Sequence, residues 1–296
     1  GSSTRGRVVD VTYSIVAWDP EGRELGVAVQ SRAFNTGAAC AWALPGAGAV
    51  ATQSFTERGY GPAGLALMRD GKAPRAALDE LLAEDELRDV RQIAFVDREG
   101  RTAAHTGDAC IPHAGDLQGA AFSVQGNMLR SSDVWPAMAQ AFAASGTLAE
   151  RFLAALAAEA AGGDFRGRQA AGLVVVTSEE APSHERVYDL RVDDHPEPLR
   201  ELRRLHVMAA GYRRRNRIEA GADAEEEVAA ARTAGLPEQD VVAAAVFAHA
   251  RNGDVERAAA LVEQIVAAEP LWRPAFARYE ALGLLPPGVV DLVSDR

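Results

Sequence analysis

Thr12–Trp18 (TYSIVAW) and Leu25–Ser31 (LGVAVQS) are apolar, β-branched runs separated by the polar segment DPEGRE. A proline, a glycine and charged residues between such runs mark a turn, so the pattern predicts an antiparallel hairpin with Thr12 opposite Ser31. Ala38–Leu44 and Ala47–Gln53 flank Pro45-Gly46 and predict a second hairpin, which folds Gln53 back beside Ala38. Both open ends then meet near residues 31 to 38. Leucine and methionine at helical spacing predict helices over Gly61–Arg69 and Pro74–Ala83. Strands return at Gln92–Asp97, Thr102–Thr106 and Ala120–Gln125, followed by helices over Asp133–Ala144 and Leu148–Ala160 and by strands Gly172–Thr177 and His184–Leu190. Hairpins stand where a doubly wound sheet would have single crossover helices, which argues for an α+β fold of antiparallel sheets covered by helices.

After DDHPEP the strand signals stop, and Leu199 to about Leu285 reads as helical with breaks near Gly221, Gly235-Leu236-Pro237, Asn252-Gly253-Asp254 and Glu269-Pro270. The expected organisation is a tag or N-terminal extension over residues 1–11, an α+β domain over 12–195 and an all-α domain over 196–296. The segment NGDVERAAALVEQIVAAEPLWRPAFARYEALGLLP resembles a tetratricopeptide-like helix pair, in which small alanines let facing helices approach. Such a pair packs on its own domain or on a sister subunit, giving a homo-oligomer, or it binds a peptide.

Composition narrows the function. The 31 basic residues against 42 acidic ones give a net charge of -11, the wrong sign for a phosphate-neutralising surface, so nucleic acid is not an expected partner. The longest uncharged run, Ala33 to Thr56, is broken by Asn, Gln, Pro and Gly and reads as strands around a turn, not as a membrane span. Cys40 and Cys110 are too few for a disulfide framework and sit among small residues without a basic partner, as buried inert thiols do. No Cys/His cluster has zinc spacing, and the pattern calls for no metal and no cofactor. A reducing cytoplasm fits these features. Lys72 is the only lysine and lies in the polar turn RDGKAP, which leaves lysine chemistry without a buried candidate.

The hairpin arithmetic gathers Thr12, Ser31, Arg32, Asn35 and Gln53 at one end of the sheets as a pocket. Ser31 there reads as a proton relay or a turn residue, and Gln53 as a holder of a substrate carbonyl or of a neighbouring backbone group. Gly126 and Asn127 end an apolar strand, where a backbone N–H and a side-chain amide can face a developing oxyanion, or simply form a turn. Asp164 and Arg166 in GGDFRGRQ suit a substrate carboxylate or a structural charge network, and Arg32 with Arg166 favours an anionic substrate. His105 and His113 are lone histidines, each a general base or metal ligand, or else a structural or solvated side chain.

The segments TYSIVA, ELGVAVQS, GAGAVATQ, YGPAGLALM, RQIAFVD, HTGDAC, FSVQGNML and GGDFRGRQ, in this order, resemble the N-terminal-nucleophile (Ntn) hydrolase-like family called domain of unknown function 1028. The stretch from DDHPEPLRELRRL to LGLLP resembles the peptidoglycan-binding segment that often follows that domain. The resemblance implies a four-layer αββα sandwich of two antiparallel sheets and an amide-bond hydrolase site at the start of the first strand, with Thr12 as nucleophile. In that chemistry the free α-amine of the first residue is the general base, so the Val11–Thr12 bond has to be cut. The expected substrate is a small amide or a peptide-like bond, with Thr12, Ser31 and Asn127 in catalysis and Arg32, Gln53, Gly126, Asp164 and Arg166 in substrate binding. The alternative is a non-catalytic binding or scaffold protein on the same fold, its helical tail serving assembly or contact with protein or peptidoglycan. No lysine lies near Ser31 or Ala43, where a partner that lowers the proton affinity of the nucleophile is expected, and Arg32 supplies charge without shuttling a proton.

Overall fold

The computed structural model describes residues 11–158, 163, 167–219 and 224–290. Its turn at DPEGRE joins β1 (Thr12–Asp19) to β2 (Glu24–Ser31), with Arg23 at φ 51° inside the turn. Thr12 faces Ser31 and Asp19 faces Glu24, the register expected from the pattern. These strands are central in an antiparallel sheet of order β10-β9-β2-β1-β8-β7, with β7 at Gly115–Gly119, β8 at Phe122–Asn127, β9 at Ala170–Thr177 and β10 at Tyr188–Val192. A second antiparallel sheet runs β3-β4-β5-β6, from Ala41–Leu44, Gly48–Ser54, Arg91–Asp97 and Thr102–Thr106.

The sheets face each other across a core of small aliphatic side chains, among them Val16, Val27, Val29, Ala49, Ala51, Ala94 and Val174. On the outside of the four-stranded sheet lie α2 (Tyr60–Arg69) and α3 (Pro74–Ala83), whose Leu65, Met68, Leu78 and Leu82 pack on Val50, Ile93 and Phe95. Gly64 permits that approach, since a Cβ there would lie 2.5 Å from the Phe95 ring. On the outside of the six-stranded sheet lie α4 (Val134–Phe142) and α5 (Leu148–Ala157), where Phe142 meets Phe122 and Phe152 at ring separations of 5.1 and 6.0 Å. A capping box of Thr147 and Glu150 starts α5.

Three local expectations give way. Residues expected to begin the second hairpin form a short helix, α1 (Thr36–Cys40), so Gln53 does not return to a strand at Ala38. Asn35, at φ 58°, turns the chain into that helix, and Gly37 lies against Gly172, whose added Cβ would come within 3.0 Å of the Gly37 Cα. Strand β7 carries no apolar pattern because it is a partly exposed edge, and the Ala120-Ala121 turn, with Ala121 at φ 62°, delays β8 to Phe122. Likewise a turn from Pro182 to Glu185, closed by a 2.9 Å backbone bond, delays β10 to Tyr188.

The chain divides into two compact units, residues 1–203 and 204–296. The division falls inside α6 (Pro198–Glu219). The second unit continues with α7 (Ala224–Thr233), α8 (Glu238–Arg251), α9 (Val255–Ala268) and α10 (Trp272–Ala281). Gly235 and Gly253 take positive φ at the breaks, and Asp254 caps α9 by accepting from the Arg257 amide at 3.1 Å. Val242, Val246, Val262, Ile265 and Phe276 form its core. Among the described residues no helix is long and apolar enough to cross a membrane.

Candidate active site

The alternation that buries Val16 between the sheets also turns Thr12 and Ser14 inward, and the paired positions on β8 are Asn127 and Gln125. Gln53 at the end of β4 and Gln92 at the start of β5 face them from the other sheet, opposite each other in register. Thr12 is 5% exposed, and Ser14, Ser31, Gln53, Gln125 and Asn127 are fully buried. One end of the layer between the sheets is therefore polar, and its side chains are neutral.

Their hydrogen bonds form one network. Gln92 Oε1 accepts from Gln53 Nε2 at 2.7 Å and from Asn127 Nδ2 at 3.1 Å, while Gln92 Nε2 donates to the Gly126 carbonyl at 2.8 Å. The same Gln53 and Asn127 nitrogens reach the Thr12 carbonyl at 3.4 and 3.5 Å. Behind them Ser14 Oγ donates to Gln53 Oε1 and accepts from Gln125 Nε2, both at 2.6 Å. Buried amides are costly unless bonded, and satisfying them in this way fixes each rotamer.

Proton accounting orients the hydroxyls. Ser31 Oγ donates its single proton to the Val11 carbonyl at 2.8 Å, so the 2.9 Å contact with Thr12 has Thr12 Oγ1 as donor. Ser31 Oγ also accepts from the Ala33 amide at 3.0 Å. The Val11 carbonyl takes a second bond from the Arg32 amide at 3.1 Å, and Val11 is fully buried. The peptide carbonyl just before the Thr12 hydroxyl is thus polarised by two N–H or O–H donors.

The remaining candidates fall into place around this cluster. Arg32 follows Ser31, but its guanidinium is bonded to Gln169 Oε1, whose amide in turn donates to Asp194 at 3.0 Å. Asn127 spends its amide nitrogen on Gln92 and Thr12, and its unpartnered atom is Oδ1, an acceptor. Gly126 lies inside the ladder between β1 and β7, where a Cβ would meet Leu129 at 2.5 Å. Asn35 is half-buried on the loop after Ser31. Asp164 and Arg166 lie outside the described residues. His105 bonds the Arg88 carbonyl at 2.8 Å on the far edge of the second sheet. His113 contacts Ser132 at 3.1 Å in a cleft of 470 Å³ lined also by Thr106, Asp108, Cys110 and Gly115. That cleft adjoins the network, because Gln92 Nε2 donates to Thr106 Oγ1 at 3.0 Å and to the Gly115 carbonyl at 3.2 Å.

A charged clamp braces the two network glutamines from the helix side. Arg91, beside Gln92, bonds Asp85 at 2.7 Å and the Phe55 carbonyl two residues beyond Gln53, and the Tyr60 hydroxyl donates to Asp85 at 3.0 Å. Burial works against the Asp85 charge, yet hydrogen bonds from Arg91, the Leu87 amide and Tyr60 outweigh it and hold the carboxyl below its usual range. Burial also pushes the Cys40 thiol up to about 11 and raises Cys110, which fits inert thiols. Among the described residues no three His, Cys, Asp or Glu side chains converge as a metal set.

Gln92, Ser14 and Gln125 were not singled out by the sequence pattern. Their signal is a polar residue at an inward position of an otherwise apolar strand, as in RQIAFVD and TYSIVA.

Comparison with known proteins gives the family of the chain. The model of the family of unknown function DUF1028 matches residues 12–202, and the chain belongs to that family. A solved relative is protein SPO2555 from Silicibacter pomeroyi, a DUF1028 protein with 32% sequence identity and a TM-score of 0.60. The likeness covers 66% of this chain and 88% of that one. No curated protein matches the chain.

Proposed function

We propose that the α+β unit is an Ntn-type hydrolase of a small amide or peptide-like bond, with Thr12 as nucleophile. The observation that carries this reading is the Val11 carbonyl, held by Ser31 Oγ–H and the Arg32 N–H beside the Thr12 hydroxyl. In the first, intramolecular step Thr12 Oγ adds to the Val11 carbonyl carbon while its proton passes to Ser31 Oγ and the Ser31 proton passes on to the Val11 oxygen. The Arg32 N–H stabilises the charge that develops on that oxygen; the C–N bond then breaks, the proton on the former Val11 oxygen passes to the Thr12 nitrogen as the carbonyl re-forms, and Val11 is left as an ester on Thr12 Oγ. Water hydrolyses the ester, releasing residues 1–11 as a carboxylate and freeing the Thr12 hydroxyl and α-amine.

In turnover that amine, with a pKa of about 8, takes the hydroxyl proton, and the donors that held Val11 hold the substrate carbonyl oxygen. Gln53 and Asn127 keep Thr12 in place through its own carbonyl. Helix pairs outside two facing antiparallel sheets support an αββα Ntn sandwich, and the helical unit suits assembly of copies or capture of a peptide. One observation favours a second reading: while the Val11–Thr12 amide is intact its nitrogen has no basic lone pair, which suits a binding or scaffold protein. Intact mass of fresh and aged protein separates the two. Loss of residues 1–11 that Thr12→Ala abolishes is the expected result, and a stable full-length mass over days rejects the hydrolase.

A further inference from the structure

The segment GGDFRGRQ ends on Gln169, which stands just before β9 and has no part in the chemistry above. All four of its polar groups are bonded. Its backbone N–H donates to the Ser31 carbonyl at 3.1 Å, and its carbonyl accepts from the His195 amide at 2.8 Å. In its side chain Oε1 accepts from the Arg32 guanidinium, and Nε2 donates to Asp194 Oδ1 at 3.0 Å. A guanidinium only donates and a carboxylate only accepts, so these two partners fix which way the Gln169 amide points.

The Ser31 carbonyl and the Arg32 N–H belong to one planar peptide unit. Gln169 therefore holds the oxygen edge of the same plane whose N–H edge holds the Val11 carbonyl at 3.1 Å. A backbone N–H has no rotamer of its own, and its aim is that of the plane it belongs to. Further along, the Asn35 amide donates to the Asp193 carbonyl at 3.1 Å, so residues 31–35 are tied at the Ser31 carbonyl, the Arg32 guanidinium and the Asn35 amide. We infer that Gln169 is a positioning residue: clasped between Arg32 and Asp194, it sets the Ser31–Arg32 peptide plane so that the Arg32 N–H meets the oxygen of the carbonyl under attack. The Arg32 guanidinium then anchors its own backbone instead of binding a substrate carboxylate. This rests on Thr12 being the nucleophile.

Release of residues 1–11 from the full chain, timed by intact mass, tests the inference without a substrate. Gln169→Leu keeps the backbone bonds and removes the clasp, and the release rate should fall about tenfold or more, because a misaimed donor loses much of its effect on the developing charge. Arg32→Leu should slow release by the same factor, and Arg32→Leu with Gln169→Leu no further, since the two side chains act as one unit. Gln169→Glu with Asp194→Asn exchanges donor and acceptor while leaving an acceptor for Arg32; it should bring the rate back to within about threefold of wild type, a recovery that a folding defect would not show. An unchanged rate in Gln169→Leu, losses that multiply in the double leucine variant, or no recovery in the exchanged pair overturns the clasp and leaves Thr12 as nucleophile. A wild-type chain that releases no more than Thr12→Ala overturns the hydrolase reading and the clasp with it.

Discussion

The layer between the two sheets has two ends built on opposite rules. At one end Val16, Val27, Ala49, Ala94 and Val174 fill space with small aliphatic groups. At the other Thr12, Ser14, Gln53, Gln92, Gln125 and Asn127 occupy equivalent inward positions on the same strands or their neighbours. Aliphatic packing stabilises the fold and tolerates repacking; a buried amide network contributes little net stability but fixes side-chain geometry. The polar end is thus where the fold gives up simple packing to position one hydroxyl and the carbonyl in front of it.

Substitutions can break this contrast. Thr12→Ala should remove self-cleavage and hydrolysis by about a thousandfold or more while moving Tm little, since one small buried hydroxyl is lost. Gln92→Leu should cost about 3 kcal/mol in chemical denaturation and most of the activity, because it takes the shorter hydrogen bond from Gln53 Nε2 and Asn127 Nδ2 and a donor from the Gly126 carbonyl together. At the other end Val27→Ala should cost about 2 kcal/mol and leave kcat unchanged; a large loss of kcat there would erase the distinction.

The clamp behind the glutamines adds a pH signature. Asp85 has a lowered native pKa, so its contribution is complete above the ordinary carboxylate range near pH 4 and is lost as pH falls through the native value. The stability gap between wild type and Asp85→Asn should therefore be about 2 kcal/mol at pH 7 and close in acid, followed by urea denaturation at several pH values. Smallest of all, Gln30→Leu should raise stability by about 1 kcal/mol, since it removes a buried amide with no partner.

Much of this was legible before any coordinates. DPEGRE fixed a hairpin whose register puts Thr12 opposite Ser31, and the family segments lie within residues matched by the family model. Helix α3 and strand β6 have the bounds that the apolar spacing indicated. Short runs were less legible: TGAAC is equally good as strand or helix by apolar count, and close contact with Gly172 is a tertiary matter. The site was half visible. Gln53 and Asn127 stood out at strand ends, but Gln92 became meaningful only when the second sheet brought it across from β8. Which atom of Asn127 faces inward was beyond the sequence, because it depends on the acceptor that Gln92 presents.

The central claim concerns one oxygen atom, and covalent trapping tests it most directly. The processed chain, treated with an alkyl β-lactone and mapped by peptide mass spectrometry, should carry one acyl group on Thr12 Oγ, with no adduct in Thr12→Ala. An unlabelled Thr12, or acylation of another residue that survives Thr12→Ala, would contradict the account.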